Sequence, residues 1–122
     1  MSARAVAFLA SAKPRQARRF YTDVLGLTLV EEHDFALVCD AHGTTLRVQK
    51  VDQVRVAPYT AFGLEVDDIE TRIDALSEKG VRGVRYPHFS QDERGIWRAP
   101  GGARVFWFHD PDGNLLSFNQ LP

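Results

Sequence analysis

The sequence predicts an α+β protein in which one β-α-β-β-β pattern is used twice, forming a cupped, partly open mixed β-sheet with helices on its outer face. Three observations carry this. Strand-length apolar runs are interrupted by two stretches of helical spacing, Ala17-Phe20-Tyr21-Val24-Leu25 and Ile69-Ile73-Leu76. The order of elements in the second half repeats that of the first, with a period of about 55 to 60 residues. Residues 104–120 read as a hairpin. Val105-Phe106-Trp107-Phe108 is one strand, Asp110-Pro111-Asp112-Gly113-Asn114 a turn in which Pro sets φ and Gly supplies φ > 0, and Leu115, Leu116 and Phe118 resume the second strand.

Taken in order, Val6 to Leu9 is the first strand. Pro14 suits the first position of a helix, which runs to Leu25 and is closed by Gly26 as a C-cap. Leu27 to Glu31, Phe35 to Cys39 and Thr44 to Gln49 follow as strands, with turns at Asp34 and at His42-Gly43. Residues 51–58 are a polar linker between a first module of about residues 3–50 and a second of about 59–120, both within one domain, 1–122. Ala61 to Val66 is a strand, Asp67 or Asp68 caps the second helix, and Gly80 ends it. Gly83 to Tyr86 and Ile96 to Ala99 are read as strands leading into the hairpin.

Composition excludes several classes of function. The 15 basic and 16 acidic residues leave a net charge of −1, with no cationic excess to attract a phosphate backbone, so no nucleic-acid partner is expected. No apolar run approaches the roughly 20 residues of a membrane span. The single cysteine, Cys39, excludes an internal disulfide. Arg4 followed by AVAFLASA has the outline of a signal peptide, with Ala10-Ser11-Ala12 as a cleavage site. We read it as the first strand instead, and expect a cytoplasmic protein. No Ser-His-Asp order, nucleotide loop or zinc spacing is present. Glu31 and Glu32 point to opposite faces of a strand and cannot serve one substrate together, and Arg15, Arg18 and Arg19 form a solvated helix face.

Three segments, RRFYTDVLGL, AFGLEVDDIE and FHDPDGNLLSF, together resemble the signatures of the vicinal oxygen chelate superfamily, which includes glyoxalase I, extradiol dioxygenases, and fosfomycin and bleomycin resistance proteins. The resemblance extends from about residue 4 to 120. It implies paired βαβββ modules and a homodimer. It also implies a divalent metal held by imidazole and carboxylate groups, with positions left open for substrate oxygens. Carried onto this chain, the three ligand positions are Val6, Ala61 and Ser117, and a fourth used by some members falls on or near Arg47. Two apolar residues, a hydroxyl and a fixed cation are not a metal site, so no metal and no cofactor are expected. His33, His42, His88 and His109 read as loop or turn residues. A cluster of His33, Cys39 and Asp40 is the one alternative metal site considered.

Strand alternation anchored on those positions lines the cup with Val6 and Phe8, Thr45, Arg47 and Gln49, Ala61 and Gly63, Val105 and Trp107, and Ser117 and Asn119, and turns Phe106, Phe108, Leu116 and Phe118 toward the helices. The expected ligand-binding set is Phe8, Arg47, Gln49, Trp97, Trp107, Ser117 and Asn119. Arg47 would pair a carboxylate or phosphate, or else an internal Glu32 or Glu65. Trp107 and Phe8 would stack on a flat ring. Trp97, in the Gly-rich stretch HFSQDERGIWRAPGG, would cover the pocket as part of a lid. The expectation is a binding protein for a small aromatic or anionic molecule rather than an enzyme. The alternative is a superfamily lyase, dioxygenase or thiol transferase with a non-standard or metal-free site.

Overall fold

The computed structural model describes residues 2–122. The chain divides into two compact units: residues up to Val56 together with Asp110–Gly113, and Ala57–His109 with Asn114–Pro122. Each contains one four-stranded mixed sheet and one helix, and the element order is βαβββ in both.

In the first unit β1 (Val6–Ser11) leads into α1 (Pro14–Arg19), then β2 (Thr28–Glu32), β3 (Ala36–Ala41) and β4 (Thr44–Lys50), in the spatial order β1-β4-β3-β2. β1 runs parallel to β4, and the two hairpins are antiparallel. Leu9, Leu37, Cys39, Leu46 and Val48 are buried on one face, together with Ala17, Phe20, Tyr21 and Leu25 of the helical segment. Leu9 pairs with Val48 and Phe8 with Arg47, so alternation sends the aliphatic residues inward and leaves Phe8 and Arg47 on the other face.

The first helix differs from the expectation of one α-helix to Leu25. Its second half, Phe20–Val24, is a π-turn, closed by Leu25 N–H to Phe20 C=O at 2.9 Å. The Thr22 hydroxyl donates to the Arg18 carbonyl at 2.7 Å, back-bonding one turn and loosening the regular ladder. Gly26 then ends the segment at φ +75, as its position predicted.

The Asp110–Gly113 turn is tied into this unit. Asp110 accepts the Tyr21 hydroxyl at 2.6 Å and the Asp112 amide at 3.0 Å, and Asp112 accepts the Ala12 amide at 2.9 Å. Burial, then the Asp110 charge, pushes the Tyr21 phenol far above its ordinary range, so it stays a protonated donor.

The second unit holds β5 (Phe62–Glu65), α2 (Ile69–Glu78), β6 (Trp97–Arg98), β7 (Arg104–His109) and β8 (Leu115–Gln120), in the order β5-β8-β7-β6. Asp68 is the N-cap of α2: its carboxylate accepts the Thr71 amide at 3.2 Å and the Thr71 hydroxyl at 2.8 Å. Ile69, Ile73 and Leu76 are buried, as their spacing predicted, together with Phe106, Phe108, Leu116 and Phe118 of the sheet.

Residues 83–86 do not form the expected strand. Only Gly83 makes a bridge, to Phe108. Beyond it the Gln91 side chain takes the groups a neighbouring strand would need, accepting from Tyr86 N–H at 2.8 Å and donating to Val84 C=O at 2.9 Å. Position 83 also has to be glycine, since a Cβ there would lie 2.5 Å from the Phe106 ring.

Candidate functional site

The second unit carries the more developed site. On the face of its sheet opposite Phe106 and Phe108, Trp107 on β7 pairs in register with Ser117 on β8, which in turn pairs with Gly63 on β5. Val105 pairs with both Trp97 and Asn119. Asn119 donates to the Ser117 hydroxyl at 2.9 Å. A side chain at Gly63 would collide with both, at 2.8 and 2.9 Å. This corner of the face is therefore a small, satisfied polar patch.

Next to it stands an aromatic cluster. Trp97 and Trp107 stack at 5.9 Å with 24° between their planes. Phe89 stacks on Trp107 at 5.3 Å and 14° and lies 4.5 Å from Trp97. Tyr86 meets Trp107 edge-on at 5.3 Å, and His88 leans on Phe89 at 4.4 Å. The Trp107 indole donates to the Thr60 hydroxyl at 3.2 Å, so its polar end is satisfied while its face stays available for packing. A cavity of about 260 Å³ opens here, lined by Tyr59, Thr60, Tyr86, His88, Phe89 and Trp107, with Pro58 and Leu115 beside them. Its wall carries no carboxylate, lysine or arginine.

A wider cleft of about 450 Å³ lies by α2, with Arg82, Arg85, Arg94, Asp74 and Glu93 around it. Its charges largely answer one another: Arg94 pairs with Asp74 and Glu70, each at 3.2 Å, and Arg85 is held by the Glu93 carbonyl at 2.9 Å. The aromatic cavity is the better-built site for an organic molecule.

In the first unit, Phe8 and Arg47 are neighbours across the β1–β4 pair, with Val38 beyond them on β3. Phe8 is 55% exposed and Arg47 half-buried. Gln49 lies two residues along β4, exposed, beside Ala10 and Ala36. Glu32, one internal partner considered for Arg47, is instead bound by Lys50 at 2.9 Å and Arg18 at 3.0 Å, which holds its carboxyl below the usual range. Among the described residues Arg47 has no ion-pair partner.

The expected set thus divides, with Phe8, Arg47 and Gln49 on one sheet and Trp97, Trp107, Ser117 and Asn119 on the other. Trp97 lies in the strand expected over Ile96 to Ala99, which narrows to Trp97–Arg98, and the expectation of it as a lid residue needs correction. It sits in β6, half-buried under Phe89, because the Trp97–Val105 pairing fixes it to the sheet. Tyr86, His88 and Phe89 are site residues that the sequence reading misses. The signal is the density of rings in Tyr86-Pro87-His88-Phe89, which is masked when Tyr86 reads as the end of a strand and His88 as a loop residue.

The three positions where the superfamily resemblance implies metal ligands do not fit a divalent cation. Val6 and Ala61 offer no donor, and the Ser117 hydroxyl is buried and engaged by Asn119. The alternative cluster fails as well: Cys39 is wholly buried in the first unit's core, and burial raises its thiol. Among the described residues no group of three His, Cys, Asp or Glu could hold a metal.

The model of the Glyoxalase/Bleomycin resistance protein/Dioxygenase superfamily matches residues 5–118. The chain belongs to this superfamily. Solved structures agree on the fold of this superfamily member. It is similar to a glyoxalase family protein from Bacillus anthracis (TM-score 0.78, 14% identity, covering 100% of this chain and 97% of that one). It is similar also to TnmS3, an antibiotic binding protein from Streptomyces sp. CB03234 (TM-score 0.77, 22% identity, covering 100% and 98%). A third is the glyoxalase/bleomycin resistance protein from Catenulispora acidiphila DSM 44928 (TM-score 0.73, 22% identity, covering 99% and 100%). A search of curated proteins found no matching relative.

Proposed function

We propose that this superfamily member binds a small, flat organic molecule, without a resident metal and without catalysing a reaction on it. The observation that carries this reading is the Trp97–Trp107 stack, which borders a cavity whose lining is aromatic and apolar with a few hydroxyl and imidazole groups. The donor chemistry of Val6, Ala61 and Ser117 supports metal independence. An antibiotic binding protein among the structural neighbours is in keeping with sequestration. Within the first unit, Arg47, which has no ion-pair partner among the described residues, is the group best suited to a carboxylate or phosphate. Ser117 and Asn119 satisfy each other and would contribute shape rather than charge.

The test uses the chain's two tryptophans, of which Trp107 lines the cavity and Trp97 stacks on it. Titration with coumarin (neutral) should change tryptophan emission saturably, and raise Tm, equally with and without EDTA, and 2-naphthoate (anionic) should bind more weakly. Stabilisation that appears only when a divalent metal is added would overturn the reading.

We also propose a homodimer acting in the cytoplasm. Exposed Val6 and Phe8 on edge strand β1, and Val30 and Phe35 at the β2 edge, are apolar surface of the kind a second copy covers. Light scattering at micromolar concentration should give twice the chain mass, and a monomer there would count against it.

A further inference from the structure

We infer that residues 86–91 form a flap that fills the binding site with its own Phe89, and that a neutral planar aromatic ligand binds by taking that ring's place against Trp97 and Trp107. The inference rests on the small-molecule reading above and specifies the class of ligand and how the site is gated.

Phe89 is held as a flat ligand would be. Its ring lies within 14° of the Trp107 plane and 35° of the Trp97 plane, at 5.3 and 4.5 Å, while the two tryptophans are themselves 24° from parallel. Tyr86 closes the side, edge-on to Phe89 at 90° and to Trp107 at 89°. Two stacked tryptophans, a third ring stacked on one and tilted to the other, and an edge-on fourth are an arrangement in which one aromatic group can be exchanged for another at little cost in geometry.

The loop is built to move at its tip and not at its base. Gln91 anchors the base, accepting from Tyr86 N–H at 2.8 Å and donating to Val84 C=O at 2.9 Å and Gly95 C=O at 2.8 Å. It also bridges to Trp97. At the tip, Pro87, His88 and Ser90 are exposed. Among the described residues the one backbone bond of Phe89 is its N–H to the Tyr86 carbonyl, at 3.2 Å. Swinging Phe89 out therefore costs ring contacts and one long hydrogen bond, while the three bonds of Gln91 stay intact.

The lining sets the ligand class. Around Phe89 the cavity offers Tyr59, Thr60, Tyr86, His88 and Leu115 and no fixed charge, so an ionised group placed here would lose hydration without gaining a partner. A neutral fused ring with a carbonyl or hydroxyl suits it, the polar atom served by Thr60 or His88.

An internal occupant lowers apparent affinity by the fraction of time the site is closed. Coumarin titrations monitored by tryptophan emission would compare the wild type with Phe89→Ala and Phe89→Leu, after circular dichroism has shown each variant folded. Phe89→Ala should bind coumarin about three- to tenfold more tightly, with Phe89→Leu between it and the wild type. Without ligand, acrylamide should quench the tryptophans of Phe89→Ala more readily. If Phe89→Ala proves unfolded, the Phe89→Leu result decides. Wild-type binding that either folded variant weakens or leaves unchanged overturns the flap and makes Phe89 a wall of the site, while the small-molecule reading stands. If neither wild type nor variants bind coumarin or 2-naphthoate, both inferences fall.

Discussion

The two units share one element order, yet their sheets present opposite surfaces. In the first, three residues, 25–27, separate the helical segment from β2, and the face bearing Phe8 is left open, with Phe8 55% exposed. In the second, 18 residues, 79–96, separate α2 from β6. Part of that connection folds back over the sheet and brings Tyr86, His88 and Phe89 onto Trp97 and Trp107, leaving Trp107 only 9% exposed. The difference teaches that the strand pattern supplies a shelf, and that the length and chemistry of one connection decide whether the shelf is bare or furnished.

The sharpest way to break this comparison is a matched pair of truncations. Trp107→Ala should cost about 3–5 kcal/mol of unfolding free energy, because it removes a buried indole from a stack. Phe8→Ala, measured at concentrations low enough to keep a second copy off β1, should stay within about 0.5 kcal/mol, because more than half of the ring is already exposed. Urea denaturation measures both, and equal costs would mean the two faces are not different in kind.

Tyr21→Phe probes the first unit's own buried anchor, leaving Asp110 without its phenol donor, and should cost about 1–3 kcal/mol. It also has a pH signature. The folded phenol's pKa is raised above the unfolded value of 10.0, so the unfolded state releases its proton first. The Tyr21 contribution is then fully present below pH 10 and falls as pH rises beyond it. Wild type should lose stability above pH 10 more steeply than Tyr21→Phe, and parallel pH profiles would show that Tyr21 is not the group responsible.

Gly83→Val tests whether the long connection must lie on Phe106 as it does. A Cβ there would meet the ring at 2.5 Å, so a loss of about 1–3 kcal/mol is expected. A neutral result by thermal unfolding would show that residues 80–85 can shift freely.

Arg47→Gln changes the first unit's face and leaves the second's lining untouched, so coumarin affinity and the tryptophan response should not change. A loss of coumarin binding would contradict a site built within the second unit. A small effect is expected for Asp68→Ala, which removes the α2 cap and should lower Tm by a few degrees without changing ligand affinity.

Much of the fold was legible because burial enforces periodicity. Phe106, Phe108, Leu116 and Phe118 had to share one face of their hairpin, and they do. Gly26, Gly80 and the His42-Gly43 pair mark left-handed backbone, where few residues other than glycine are at ease. The π-turn was hidden, because Phe20 and Tyr21 have the same spacing in either helix type and the deciding bond, Leu25 N–H to Phe20 C=O, is a backbone one. The absent strand at 83–86 was hidden for a related reason: Gln91 replaces a backbone partner with a side chain, and no local pattern announces that.

The sequence by itself determined the repeated βαβββ order, the parity of β1, β4, β5, β7 and β8, the superfamily, and that Val6, Ala61 and Ser117 stand where the resemblance implies metal ligands. These are matters of local pattern and residue chemistry. Only the tertiary structure decided that the ring lying over Trp97 is Phe89, and that the second unit's face is covered by its own loop. Contacts between residues far apart along the chain depend on where a connection folds back. That is governed by bonds such as those of Gln91 to Tyr86, Val84 and Gly95, which periodicity does not encode.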